Sequence, residues 1–168
     1  MVRPNKKSEE FKNKKNHGGA IILGLNDALV ELSGALVGLT FAIESSRLIA
    51  TVGLITGVAA SLSMGASEYL SAKEDRNKNP LIESVYTGIA YMITVLILVS
   101  PYLFIQNKYQ ATGVMGVLAV GIIALYTKYD SIIHKESFKR KFGEMFTISA
   151  SVALISFIFG LLVRKLIP

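Results

Sequence analysis

Residues 20–43 read AIILGLNDALVELSGALVGLTFAI, and this stretch decides how the chain is understood. It is apolar for long enough to cross a bilayer as a helix, yet Asp27 and Glu31 lie well inside it. At about 1.5 Å per residue the two acids fall roughly 10 and 16 Å past Ala20. A carboxylate at that depth costs roughly 2.5 kcal/mol or more on insertion scales, so it marks a functional site by default. Asp27, Glu31, Gly34 and Gly38 follow one another at i, i+4, i+7 and i+11. That spacing gathers them on one stripe of one helix, two acids below a groove of small residues.

The rest of the chain repeats the apolar pattern. Of its 168 residues 51% are hydrophobic and 18% charged, and the apolar ones gather in runs at 20–43, 48–70, 84–105, 111–127 and 145–166. Each run is long enough to span, and only helices or closed barrels satisfy their backbone in lipid. The expected fold is therefore all-α, an integral membrane protein with five transmembrane helices, the fourth continuing towards Ile133. Residues 1–19 form a basic cytoplasmic tail and residues 20–168 one five-helix transmembrane domain. The tail holds His17 but no apolar core of its own, so it is not a cleavable signal peptide. There is no cysteine, which removes disulfides and thiolate metal sites.

The net charge of +6 sits between the apolar runs, which is a topology pattern and not a nucleic-acid one. The tail, the 71–83 connection and the 128–144 connection fall on one side and carry fourteen Lys and Arg. Arg47, Lys108, Arg164 and Lys165 make four on the other. The asymmetry puts the N-terminus in the cytoplasm and the C-terminus outside, in a multi-pass protein of the inner, cell membrane. The basic run 135–141 is read as a topology signal beside anionic lipid. Tyr102 is expected as an interface anchor beside Pro101, which ends or kinks the third helix, and Glu83 and Glu144 as acids at helix starts. Ser149, Ser151, Ser156 and Gly160 are expected to form a packing surface on the fifth.

The second run carries a stripe of its own: Gly53, Gly57, Ser61, Met64 and Glu68. Two Gly-x-x-x-Gly pairs, Gly34 with Gly38 and Gly53 with Gly57, offer close helix contacts. The turn at 44–47 is short, so the first two helices are expected to be antiparallel neighbours. Met64 then lies at the depth of Asp27 and Ser61 near Glu31, with Glu68 one turn nearer the cytoplasm. A cation arriving from that side would meet Glu68, then Asp27 with Met64, then Glu31.

Carboxylate oxygens attract any divalent cation, whereas a thioether favours softer, first-row ions over magnesium or calcium. A buried carboxylate can also exchange a metal for a proton. The residues thus point to transport of iron(II) or manganese(II) against protons, with these as substrates and no resident cofactor. An enzyme is not expected, since only His17 and His134 accompany the acids and no nucleophile–base pair is visible. The rival reading is a non-transporting dimeric membrane scaffold whose buried acids only cement helices.

The run Gly24-Leu25-Asn26-Asp27, with Ser63-Met64-Gly65 and Glu68-Tyr69-Leu70-Ser71, resembles the vacuolar iron transporter family. The first helix is most similar to the membrane domain that some prokaryotic members carry behind a ferritin-like domain. The likeness is strong over residues 20–105 and rests on helix count beyond. It implies five helices, a homodimer, and export of ferrous iron or manganese from the cytosol in exchange for protons. It also implies a metal path between protomers lined by the first helix, with Asp27, Met64 and Glu68 on it. Two departures stand out. Thr56 occupies the place of a glutamate that plant members have eight positions before the methionine, so proton coupling would rest on Glu31. The gap between the second and third helices, 71–82, replaces a long acidic metal-collecting extension, and no ferritin-like domain is expected.

Overall fold

In the computed structural model the backbone is described for residues 6–75 and 79–166, and side chains for 18–75, 79–133 and 135–166. The described chain is helical, with no strand: α1 (Lys6–Ala42), α2 (Ser46–Glu74), α3 (Pro80–Phe104), α4 (Lys108–His134) and α5 (Phe138–Leu166). All five contain a stretch long and apolar enough to cross a membrane; in α1 it is Gly18–Ala42. From Lys6 onward the polar segment before the first span is helical and runs into that span without a break. Residues 1–5 and the side chains of His17, Arg76, Lys78 and His134 lie outside the described part.

Local chemistry sets the helix ends. Ser45 caps α2 by accepting from the Leu48 amide, and the Asn107 side chain accepts from the Tyr109 and Gln110 amides at the start of α4. Pro80 opens α3, where its missing N–H costs no hydrogen bond. Pro101 sits in the last turn of the same helix and leaves the Ile97 carbonyl without its usual partner; the Ser100 hydroxyl donates to it at 2.8 Å. Helix α3 then stops at Phe104, so Pro101 ends the helix as expected.

The helices pack around α1, which touches all four others. Of its apolar stretch 44% is buried, against 11% for α5, so α1 is the axis and α5 a peripheral helix. Spacings of three and four on α1 (Leu29, Leu32, Leu36), α3 (Tyr91, Val95, Leu98, Val99, Tyr102) and α4 (Ala111, Met115, Ala119, Ile123) build one core, completed by Ile49 and Ala50 of α2. Large apolar side chains such as Phe104, Val117 and Leu125 face outward, as a lipid-facing surface requires.

Four expectations change. Helix α2 packs chiefly on α3 and touches α1 less, so the first two helices do not set their polar stripes face to face. Gly53 and Gly57 abut Leu36, Val95 and Val99, while Gly34 and Gly38 abut Val152 and Ser156 of α5. Each pair thus admits a different neighbour. Tyr102 is no interface anchor: it is fully buried, its hydroxyl 3.2 Å from Thr40 Oγ1 and 2.9 Å from Thr112 Oγ1. Glu144 lies in the second turn of α5 beside Arg140, since that helix begins at Phe138, whereas Glu83 does occupy the first turn of α3.

Polar contacts tie both ends of the bundle. At the α1 C-terminal end the buried Lys108 donates to the Ile43 carbonyl at 2.7 Å, one of those a helix leaves open. Lys108 and Arg164 also lie 3.8 and 2.6 Å from Glu44. Ser46 donates to the carbonyls of Tyr102 and Ile105 at 3.1 and 2.7 Å, joining α2 to the end of α3. At the other end Lys141 pairs with the buried Asp130, and Arg140 meets Glu136 at 2.7 Å. Part of the basic 135–141 run is therefore spent on neighbouring acids.

Candidate cation groove

Between α1, α2 and α5 runs a groove of about 510 Å³, with Tyr91 of α3 on its lining. Its walls come from the packing just described. Helix α5 comes close to α1 because Gly160 lies on the Gly38 carbonyl, and α2 is turned towards α3 by its glycines. What remains open between α2 and α5 is lined mostly by apolar side chains, including Leu39, Val52, Ile155 and Phe159. The polar ones are Glu31, Thr56, Tyr91 and Ser156, and among them Glu31 alone carries a formal charge.

Glu31 stands near the middle of Gly18–Ala42, and Tyr91 near the middle of Pro80–Phe104. The Tyr91 hydroxyl donates to Glu31 Oε2 at 2.9 Å. Tyr91 is fully buried, whereas Glu31 is exposed on the open side of the groove. Asp27, one turn earlier on α1, is half-buried on the same side of the helix as Glu31. These three polar groups form one local set. From Glu31 the groove continues along α1 past Gly38 and Leu39 to Ala42, and along α5 to Val163.

The neighbours of Asp27 have structural work. A Cβ at Gly24 would strike the Thr87 backbone, so this glycine lets α1 and α3 touch, and Thr87 donates to the Ala20 carbonyl at 3.0 Å. Asn26 turns towards α4, its Nδ2 3.4 Å from the Tyr126 hydroxyl. The motif thus splits by face, packing on two sides and an acid on the third.

The α2 stripe also divides. Gly53, Gly57, Ser61 and Gly65 are buried, and the three glycines meet α3, while Thr56 and Ala60 face the groove. Ser61 therefore does not stand opposite Glu31. Met64 lies one helical turn from Ala60 and packs, half-buried, on the core. Glu68 is half-buried and lies near Glu83 and Asp75. The four expected pathway residues thus form an inner pair, Asp27 with Glu31, then Met64 on the adjacent helix, then Glu68 in a separate acidic group. Among the described residues no three acids or histidines converge on one ion position.

Tyr91 was not anticipated. Its signal in the sequence is a tyrosine at the centre of an apolar run, yet tyrosines in membrane helices are first read as interface residues.

Five candidate spans make this a multi-pass membrane protein, with a carboxylate midway along the first span in a groove. Residues 19–80 match the model of the VIT family, and this match supports a member of the vacuolar iron transporter family. It covers the first two spans and the connection to the third. Members of the family are transporters of metal ions across membranes, not enzymes. No curated protein matches the chain.

Proposed function

We propose that the protein exports iron(II) or manganese(II) from the cytoplasm in exchange for protons, along a path lined by α1. The observation that carries this reading is the mid-span pair of Asp27 and Glu31, one turn apart, with Glu31 in a groove that continues to the far end of α1. An acid at the bilayer centre that opened onto acyl chains would be strongly unfavourable, so the open side of the groove calls for a protein cover. A second copy of the chain fits that need, with the path at the interface of a homodimer.

In this account Glu68, at the end of the bundle where the first span begins, gathers cations from the cytoplasm. Asp27 and Met64 follow, the thioether favouring a first-row ion over magnesium. Glu31 receives the ion at mid-span and returns a proton when it leaves. Thr56 supports this assignment, because it lines the same groove as Glu31. The carboxylate missing from the α2 side is thus supplied from the α1 side. The Thr56 hydroxyl donates to the Val52 carbonyl at 2.8 Å and, unlike a carboxylate, carries no charge to exchange an ion for a proton. The fourteen-to-four distribution of Lys and Arg supports a cytoplasmic N-terminus in the cell membrane.

Purified protein in liposomes tests the reading. Manganese or ferrous ion should cross faster than in empty liposomes, and an imposed pH gradient should speed it further. If ionophores that collapse the gradient leave initial rates unchanged, proton exchange is excluded.

A further inference from the structure

The contact between Tyr91 and Glu31 has a consequence for which ion the groove accepts. The Tyr91 ring is fully buried in the α3 face of the core, so its hydroxyl has a fixed position. It donates to Oε2 of Glu31 at 2.9 Å. Oε1 makes no hydrogen bond among the described residues. The hydroxyl takes one of the two lone pairs of Oε2 and fixes the plane of the carboxylate, so Oε1 is the oxygen left fully open to a cation and two-oxygen binding is disfavoured.

That restriction discriminates between ions. Calcium takes six to eight oxygens and is often bound by a carboxylate through both of them, whereas smaller divalent ions accept one oxygen per carboxylate in a tighter shell. Few other oxygens are at hand: the groove lining is apolar apart from Glu31, Tyr91, Thr56 and Ser156. We propose that Tyr91 is a specificity-determining positioning residue, which holds Glu31 as a single-oxygen ligand and so disfavours calcium in the groove. The same hydrogen bond keeps the ion loosely held and easily released. This inference rests on the transport reading above and adds to it the selection against calcium and the residue responsible.

The test compares wild type with Tyr91→Phe in liposomes, with manganese as the transported ion and calcium as the competitor. Phenylalanine keeps the buried ring and removes only the hydroxyl, which frees Oε2. A hydrogen bond to a charged group is worth on the order of tenfold in an equilibrium constant. Calcium should therefore inhibit Tyr91→Phe at about one tenth of the concentration needed for wild type. The KM for manganese and the maximal rate should both fall. Glu31→Asp, which draws the acid away from the hydroxyl while leaving the core intact, should become calcium-sensitive in the same way. Equal calcium inhibition of wild type and both variants, with manganese transport retained, overturns the role of Tyr91 and leaves the transport reading standing. Absence of manganese and ferrous flux in wild type overturns the transport reading itself, and this inference with it.

Discussion

Gly38 of α1 and Gly160 of α5 meet backbone to backbone: a Cβ on Gly160 would fall on the Gly38 carbonyl, and one on Gly38 would come within 2.9 Å of Ser156 O. Lipid supplies no hydrophobic force between helices, so such small-residue contacts, with their dense van der Waals packing, decide where a peripheral helix sits. This contact fixes one wall of the groove.

Gly160→Val should therefore push α5 off α1, at a cost of roughly 1–3 kcal/mol. Thermal unfolding in detergent reads the loss. Gly121→Ala is the control, since a Cβ there meets nothing within 4 Å. It should be neutral or slightly stabilising, because alanine is the better helix former. Equal destabilisation by both would show that helix propensity, not the α1–α5 contact, is being measured.

Lys108 is buried while Arg164 is half exposed, although both approach Glu44. Lys108→Met strips the Ile43 carbonyl of a charged donor and should cost roughly 1.5–3 kcal/mol. Arg164→Met removes an exposed ion pair and should cost no more than about 1 kcal/mol. Unfolding midpoints of the two variants give the comparison. The reverse order would contradict the helix-capping role given to Lys108.

Tyr102→Phe removes the hydroxyl that meets both Thr40 of α1 and Thr112 of α4, which also lie 2.8 Å from each other. The loss should be roughly 0.5–1.5 kcal/mol, the net worth of a buried hydrogen bond, because the two threonines keep each other. Tyr129→Phe, on an exposed side chain, should change stability by less than about 0.5 kcal/mol. The difference in midpoint between the two phenylalanine variants is the readout.

These contacts show what was legible in the sequence. Five apolar runs of spanning length gave the helices, because in lipid the backbone leaves no other choice. The depth and spacing of Asp27 and Glu31 gave the polar pair, because helical periodicity is fixed. What stayed hidden depends on which helix faces which. Gly53 and Gly57 could have served α1 as well as α3, since a small-residue pair states that something comes close and not what. Tyr102 and Tyr91 were hidden for the opposite reason. A tyrosine at a helix end suggests the interface and one at the centre suggests nothing, until Thr40, Thr112 and Glu31 arrive from distant parts of the chain.

The central claim is that the two acids of α1 form the cation path. Asp27→Asn and Glu31→Gln keep shape and remove charge, so both variants should insert and unfold near the wild-type temperature. Initial manganese flux in liposomes, measured side by side for wild type and the two variants, tests the claim most directly. The account predicts flux in wild type and none above empty liposomes in either variant. Wild-type rates in both variants would contradict it.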